Sequence, residues 1–141
     1  MKNPDIYSAD ALCSLAIDAR NHSYSPYSGI KVGAALLTGS GRVYTGCNIE
    51  NAAFSPTVCA ERVAFFKAIS EGESVFVAIA VAGGANELPN GEFPPCGVCR
   101  QVMSEFCDAD TFKVYLVKNE TEHTALTLKE LLPYGFGKKN I

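Results

Sequence analysis

Three cysteines and one glutamate lie in two short motifs that together could bind a metal ion and move protons. Cys59 is followed two positions later by Glu61, and Cys96 and Cys99 form a Cys-x-x-Cys pair. Three thiolates are one ligand short of the four that close a structural zinc site, so the fourth position can hold water. Zinc lowers the pKa of such a water, and a carboxylate beside a ligand can carry its protons. These residues predict a hydrolytic zinc centre with the three cysteines as ligands and Glu61 as the catalytic proton carrier.

Both motifs lie where the sequence predicts that a helix begins. A thiolate at a helix N-terminus is stabilised by the helix dipole and by free N–H groups, so Cys59 is well placed at the start of a helix over 58–71. Cys96 and Cys99 are three residues apart at the start of a helix over 97–106, on one side of it. We therefore expect the two helix starts to face each other and to bring the three sulfurs together.

Two arginines adjoin the cysteine motifs. Three thiolates with Zn²⁺ leave one net negative charge, which makes the metal a weaker Lewis acid. Arg62 and Arg100 could offset this by donating hydrogen bonds to the sulfurs, and Arg62 is the better candidate. Both could instead be ordinary surface charges.

Other interpretations of the cysteines stay open at this point. A closed structural zinc site would take its fourth ligand from Cys47 or Cys107, although such sites usually pair two Cys-x-x-Cys motifs and only one is present. A cysteine nucleophile would need a histidine base, and His22 and His123 lie in no recognisable motif. Glu61 could also be a helix residue that merely favours the dipole.

The composition is that of an ordinary soluble globular protein rather than a nucleic-acid or membrane protein. The chain has 141 residues, 48% hydrophobic and 19% charged, and we expect a single catalytic domain over residues 1–141. A net charge of −3 argues against a nucleic-acid surface, which would normally be basic. Met1–Asp5 form no apolar leader, and no stretch resembles a membrane span. We therefore expect a cytoplasmic location with reduced cysteines, of which Cys13, Cys47 and Cys107 are small buried hydrophobes.

The order of the predicted elements indicates an α/β fold. Helices are expected over 9–21, 58–71, 97–106 and 126–132, and strands over 31–37, 42–47, 75–82 and 112–117. The first two strands form a hairpin, and the later strand–helix–strand units imply parallel neighbours with right-handed crossovers. We predict a three-layer helix/sheet/helix sandwich with a mixed sheet of about five strands. The helix over 58–71 is so densely apolar that we expect it to be buried on most sides.

Six motifs in order make the chain resemble the small homotetrameric zinc-dependent cytidine deaminases. The resemblance runs from about Ala11 to Phe136, and its motifs lie at residues 24–28, 32–35, 46–52, 59–62, 95–101 and 130–133. It implies a cytidine deaminase-like fold with one Zn²⁺ per subunit. It also implies hydrolysis of cytidine and deoxycytidine to uridine and deoxyuridine with release of ammonia, and active sites at the interfaces of a homotetramer.

The resemblance also implies roles for residues that bind the substrate. Asn48 and Glu50 correspond to the amide and carboxylate that bind the ribose hydroxyls in that family. The backbone N–H at Ala60 corresponds to the donor for the pyrimidine carbonyl, while Glu61 contacts the adjacent ring nitrogen. Phe136 matches an aromatic residue that is lent to the site of a neighbouring subunit.

Two positions depart from the family pattern. Ile30 stands where a phenylalanine usually packs on the pyrimidine, so aromatic stacking worth about 1 kcal/mol is lost there. Phe54 stands where a tyrosine is common, which removes a hydroxyl group.

Three alternative functions are weighed against nucleoside deamination. Another aminopyrimidine, such as the nucleoside antibiotic blasticidin S, is disfavoured because Asn48 with Glu50 suits an ordinary ribose. A polynucleotide deaminase would need an open basic groove with aromatic residues, which the acidic balance opposes. A zinc-stabilised binding module without catalysis would not need Glu61. We therefore expect a small-molecule nucleoside substrate, with no nucleic-acid or membrane partner.

Overall fold

A five-stranded mixed sheet, in the order β2-β1-β3-β4-β5, organises the computed structural model, which describes residues 7–141. The strands are β1 (Lys31–Thr38), β2 (Val43–Cys47), β3 (Phe76–Gly84), β4 (Lys113–Val117) and β5 (His123–Thr127). The helices are α1 (Ala9–Ala19), α2 (Ala60–Ser70), α3 (Gly97–Phe106) and α4 (Leu128–Leu131), with short 3₁₀ turns at Arg20–His22 and Lys138–Asn140. The prediction that Met1–Asp5 form no apolar leader concerns residues that lie outside the described part of the chain.

The two faces of the sheet are covered by different helices, which confirms the predicted three-layer sandwich. Side chains alternate along β1: Leu36 belongs to the core shared with α2 and α3, whereas Leu37 belongs to the core shared with α1. Phe65 and Met103 fill the first core, and Leu12 fills the second. The α2 and α3 helices, which carry the cysteine motifs, therefore lie on one side of the sheet.

The strand order corrects one part of the expected topology. β3 is parallel to β4, as predicted, but it pairs antiparallel with β1, so β2 and β3 are not neighbours. The physical reason is burial: β1 is buried at six consecutive positions, 33–38, and such a strand needs cover on both faces. β2 alternates between buried and half-buried residues, which suits the edge of the sheet.

The expected helix over 126–132 was too long, because its first residues belong to the fifth strand. His123–Thr127 pair antiparallel with Lys113–Val117 as β5. Thr127 then caps α4: its hydroxyl oxygen accepts from the N–H of Glu130 at 3.2 Å, and its own N–H donates to the Glu130 carboxylate at 3.0 Å. This reciprocal capping box fixes the start of the helix at Leu128.

The first helix begins where the sequence predicts and ends slightly earlier. The Ser8 hydroxyl oxygen accepts from the N–H of Ala11 at 3.1 Å and caps α1. The last two residues of the predicted helix, 20 and 21, belong instead to the 3₁₀ turn Arg20–His22. The Arg20 side chain there is only 2% exposed.

The second helix, α2, is buried on one face only. The prediction that it is buried on most sides is therefore wrong within the single chain. Phe65 is fully buried, whereas the next residue, Phe66, is 49% exposed. α2 approaches β2 closely because Gly46 has no side chain: a Cβ there would lie 2.4 Å from the Ala60 carbonyl oxygen. This close approach positions the first turn of α2, which carries Glu61.

Within residues 7–141 no helix combines the length and apolar character that crossing a bilayer requires. All six cysteines are free thiols. Cys13 is buried, as expected, while Cys47 and Cys107 are only partly buried.

Candidate metal centre

The three cysteines of the two motifs meet at the starts of two helices. Cys59 is the N-cap of α2, Cys96 is the N-cap of α3, and Cys99 lies in the first turn of α3. The Sγ atoms of Cys59 and Cys96 are 3.7 Å apart, those of Cys96 and Cys99 are 3.6 Å apart, and all three lie within 4.8 Å of one another. Two Zn–S bonds of about 2.3 Å at a tetrahedral angle separate their sulfurs by about 3.8 Å. The donor set therefore fits one zinc ion.

The alternative ligands and bases are not part of this cluster. Within residues 7–141, neither Cys47 nor Cys107 belongs to the group of donor atoms that lie close enough to share a metal. His22 is exposed, and His123 packs against the Tyr115 ring and lies 3.5 Å from Asp10. The described residues thus offer three sulfur ligands, which leaves a fourth position for water.

Of the two arginines next to the motifs, one contacts a sulfur. Arg62 Nη2 donates to Cys59 Sγ at 3.4 Å, and the buried Arg62 Nε has no hydrogen-bond partner within the described residues. Arg100 instead donates to the carbonyl oxygens of Pro95 at 2.7 Å and Leu131 at 2.6 Å. Arg100 therefore ties α3 to α4, and Arg62 alone donates to the sulfur cluster.

Two of the clustered thiols, Cys59 and Cys99, hold their protons unequally. Hydrogen bonds from Cys99 and then from Arg62 lower the pKa of Cys59 to about 5, against the opposing effect of burial. The pKa of Cys99 is raised, first by its hydrogen bond to Cys59 and then by burial. Of these two cysteines, Cys59 is thus the preferred thiolate, and the Arg62 guanidinium stabilises it.

Glu61 occupies the first turn of α2 and is only 4% exposed. Burial raises the pKa of its carboxyl group to about 7, because desolvation disfavours the charged form, and the negative charge on Cys59 adds to the effect. A carboxyl group with a pKa near neutrality can both accept and release a proton at physiological pH.

A cavity of about 220 Å³ joins the cysteines to several of the residues that the sequence singled out. Its walls include Cys59, Cys96, Glu61, Asn48 and Glu50. The remaining wall is mostly apolar and is formed by Val32, Thr57, Val58, Val81, Phe93 and Pro94. A neighbouring cavity of about 350 Å³ is also lined by Glu50 and Thr57, and by Phe54. The geometry therefore combines a metal-binding set, a buried carboxyl group and two further polar side chains.

Asn48 uses most of its side-chain hydrogen-bonding capacity within the protein. Its Oδ1 accepts from the Ser23 hydroxyl at 2.5 Å and from the N–H of Val32 at 2.9 Å. Its Nδ2 donates to the carbonyl oxygen of Ile30 at 2.8 Å. A side-chain amide has two N–H donors, so one remains for a ligand in the cavity.

Glu50 holds the turn that follows the first helix. Its Oε1 accepts from the N–H groups of Tyr27 at 2.9 Å and Ser28 at 3.1 Å, and its Oε2 accepts from the Ser28 hydroxyl at 2.5 Å. The hydroxyl bond first, and the two N–H bonds with it, lower the pKa of Glu50. The carboxylate is charged at neutral pH and keeps one free acceptor position on Oε2.

Three other predicted residues lie outside the walls of this cavity. Ile30 is half-buried and contributes its carbonyl oxygen to Asn48. Ala60 is fully buried as the first residue of α2, where the backbone N–H has no acceptor within the helix. Phe136 is 60% exposed, and its carbonyl oxygen accepts from Gln101 Nε2 at 2.9 Å.

Sequence reasoning missed the apolar part of the wall. Val32 and Val81 lie on strands whose alternation would have placed them on the α2 side of the sheet, so a signal for them existed. Phe93 lies in a Gly- and Pro-rich segment three residues before Cys96, and only its nearness to the motif could have pointed to it.

Comparison with known proteins agrees with this geometry. Residues 7–116 match the family model described as the cytidine and deoxycytidylate deaminase zinc-binding region. The cytidine deaminase of Halalkalibacterium halodurans is 52% identical over 121 residues, which cover 86% of this chain and 88% of that protein. The cytidine deaminase of Sporosarcina psychrophila is 47% identical over 123 residues, covering 87% of each.

A solved structure shows the same fold. The crystal structure of the cytidine deaminase from Burkholderia pseudomallei superposes with a TM-score of 0.83 at 42% identity, covering 92% of this chain and 99% of that one. The chain therefore belongs to the cytidine and deoxycytidylate deaminase family. The resemblance to cytidine deaminases, the α/β fold class and the zinc cofactor, all predicted from the sequence, are confirmed.

Proposed function

We propose that this protein is a zinc-dependent cytidine deaminase that consumes one water molecule and converts cytidine or deoxycytidine to uridine or deoxyuridine and ammonia. The observation that carries the proposal is the cluster of three Sγ atoms within 4.8 Å of one another, on the wall of a cavity that also contains the buried Glu61. Family membership supports this reaction. Residues 1–141 act as one catalytic domain.

Cys59, Cys96 and Cys99 are the zinc ligands in this proposal, and Arg62 stabilises the Cys59 thiolate. Bound zinc supplies the Lewis acidity that makes water nucleophilic at neutral pH. The sulfur separations of 3.7 and 3.6 Å support one ion per subunit. The hydrogen bond from Arg62 offsets the surplus negative charge of three thiolates.

Glu61 carries the protons of the reaction. Its carboxylate accepts a proton from the attacking water and delivers a proton to the ring nitrogen N3 of cytosine. The second proton of that water passes through the same carboxyl group to the amine. The bond between C4 and the amine then breaks as the C4 carbonyl forms, and ammonia departs. Burial supports this role because a buried carboxyl group is shielded from competing solvent protons.

Asn48 and Glu50 bind the ribose, and the Ala60 N–H binds the pyrimidine carbonyl. The free N–H of Asn48 donates to one hydroxyl oxygen, and the free acceptor position of Glu50 accepts a hydrogen bond from the other hydroxyl group. This pairing is supported by the hydrogen bonds that already orient both side chains from behind. Ile30 does not line the cavity, but its carbonyl oxygen accepts from Asn48, and it is proposed as an apolar neighbour of the bound substrate.

The active form is a homotetramer in which Phe136 completes a site of a neighbouring subunit. Three large apolar side chains near the chain's C-terminal end support an interface: Tyr134, Phe136 and Ile141 are 106%, 60% and 97% exposed. Phe66 on α2 adds an exposed ring. Phe136 does not line its own chain's cavity, which fits a role in another subunit.

The enzyme acts in the cytoplasm, in the salvage of pyrimidine nucleosides. Six free thiols, including a cluster that must stay reduced to bind metal, support a reducing compartment.

Zinc quantification combined with an ultraviolet assay on cytidine tests the proposal. We expect about one zinc per chain and equal yields of uridine and ammonia. Parallel assays offer blasticidin S and a single-stranded oligonucleotide containing cytosine. Zinc-loaded protein that leaves cytidine unchanged, or that turns over either competitor faster, would contradict the proposed function.

A further inference from the structure

Gly83 lies at a position of the sheet whose side chains point toward the cavity. Gly83 pairs with Val32 across β1 and β3, and it follows Val81 by two residues on β3. Paired residues on neighbouring strands, and residues two apart on one strand, share a face of the sheet. Val32 and Val81 both line the cavity of about 220 Å³. A side chain at position 83 would therefore stand on the cavity side.

The ring of Phe93 occupies the place of that missing side chain. A Cβ added to Gly83 would lie 2.4 Å from Phe93 Cγ and 2.8 Å from both Cδ1 and Cδ2. Equal distances to the two Cδ atoms, with a shorter one to Cγ, describe a point above the ring plane. One face of the Phe93 ring thus rests on Gly83, and any larger residue at position 83 would displace it.

The chain that precedes Phe93 is held in place at two points. Arg20, buried behind the loop, donates to the carbonyl oxygens of Gly84 at 2.8 Å, Asn86 at 2.6 Å and Glu87 at 3.1 Å. Nearer the ring, the N–H of Gly91 donates to the carbonyl oxygen of Lys118 at 2.9 Å. These contacts fix the loop that carries Phe93 before the chain reaches Cys96.

Phe93 is the one aromatic residue among the described residues that line this cavity. The other apolar walls, Val32, Val58 and Val81, are aliphatic. A pyrimidine is a flat aromatic ring, and aromatic pairs gain energy beyond simple burial. The part of the Phe93 ring that Gly83 leaves uncovered faces the cavity and is available for such a contact.

We propose that Phe93 is a specificity-determining residue that packs against the pyrimidine ring, and that Gly83 is the positioning residue that seats it. The proposal rests on the proposed function, because it assumes that the cavity beside the cysteines receives the base. It assigns the aromatic contact to the loop before Cys96.

Binding measurements on zinc-loaded protein test the role of Phe93 independently of turnover. Calorimetry compares uridine with 5,6-dihydrouridine, whose saturated ring is no longer flat and aromatic. Phe93→Leu keeps an apolar side chain but removes the ring, so we expect uridine affinity to fall about three- to tenfold and dihydrouridine affinity to change less than twofold. Phe106→Leu, which alters a ring packed on Phe76 away from the cavity, is the matched control and should leave both affinities unchanged.

A double-mutant cycle tests the role of Gly83. Gly83→Ala should weaken uridine binding in the wild-type background but have little effect once Phe93→Ala has removed the displaced ring. Zinc content and thermal melting verify that each variant folds. The proposal would be overturned if Phe93→Leu weakened the binding of uridine and dihydrouridine equally, or left uridine affinity unchanged. It would also be overturned if Gly83→Ala reduced uridine affinity by the same factor with and without the Phe93 ring. Wild-type protein that binds uridine through Phe93 but does not deaminate cytidine would instead refute only the proposed function.

Discussion

Arg62 donates from Nη2 to Cys59 Sγ at 3.4 Å, from within the first turn of the helix that Cys59 caps. The contact joins a permanent positive charge to a sulfur whose thiol pKa it helps to lower. The arginine therefore neutralises charge at the sulfurs without occupying a coordination position. Three thiolates carry more negative charge than a ligand set that contains neutral histidines. A zinc site with three thiolates therefore depends more strongly on such a cationic partner.

Replacing this arginine should weaken metal binding. Arg62→Gln removes the charge, and we expect zinc affinity to fall about ten- to a hundredfold, as for other residues that contact a metal ligand. Competition with a chromophoric chelator measures the affinity. Arg42→Gln, an exposed arginine beside the β1–β2 turn, is the control. Unchanged zinc affinity in Arg62→Gln would show that the hydrogen bond has no role in binding the ion.

Replacing the buried carboxyl group should separate catalysis from metal binding. Glu61→Gln preserves the shape of the side chain but cannot shuttle protons, so kcat should fall by at least about 10²–10⁴ while zinc content is retained. Metal analysis and the cytidine assay on the same preparation check both expectations. Glu71→Gln, at the far end of α2, should keep full activity. Loss of zinc from Glu61→Gln would mean that Glu61 is a ligand or a structural support.

The hydrogen bonds of Glu50 predict a stability effect that depends on pH. Its folded-state pKa lies below the ordinary value of 4.5, chiefly because the Ser28 hydroxyl stabilises the carboxylate. The carboxylate therefore stabilises the folded chain above pH 4.5, and this contribution is lost as the pH falls through the lowered pKa. Glu50→Gln should be less stable than wild type at pH 7, with a difference that shrinks in acid.

Urea unfolding of both proteins from pH 7 down to about pH 3 measures this difference, because the loss is complete only below the lowered pKa. Glu120→Gln changes an exposed carboxylate in another turn and serves as the control. A difference between wild type and Glu50→Gln that stays constant in acid would contradict the assigned role of the carboxylate.

The proposed exchange of Phe136 between subunits predicts complementation. Phe136→Ala should lower kcat/KM, and Glu61→Gln should be nearly inactive, when each is assayed alone. Mixed tetramers contain sites with an intact Glu61 from one subunit and an intact Phe136 from its neighbour. We expect their activity to exceed the sum of the two parent preparations. Strictly additive activity, or a fully active monomer in sedimentation, would exclude a shared site.

The sequence predicts the starts of α1 and α3 and the grouping of the three cysteines, because helix starts and motif spacing depend on local chemistry. Ser8 is a good N-cap, and the cysteines have the spacing of one helical turn, so their positions follow from short-range rules. The fifth strand was missed because His123–Thr127 has only a weak alternation and no fully buried residue. Its assignment depends on pairing with β4, which is a long-range interaction.

The substrate side of the site was less accessible to sequence reasoning. Asn48 and Glu50 drew attention only through the family resemblance, and nothing in their spacing shows that they also hold the turn at Tyr27 and Ser28. Phe93 was missed because its position depends on the absence of a side chain at Gly83, ten residues away. Contacts between loops and strands of this kind become visible only in three dimensions.

The sulfurs of Cys59 and Cys96 come from helices that begin 37 residues apart in the chain, so an ion between them acts as a removable cross-link. It fastens α2 to α3 at the ends where neither N-cap side chain makes a capping hydrogen bond. Since the ion binds the folded chain more tightly than the unfolded one, folding free energy becomes a function of free zinc concentration. The resistance of this enzyme to heat therefore varies with the metal supply of its surroundings.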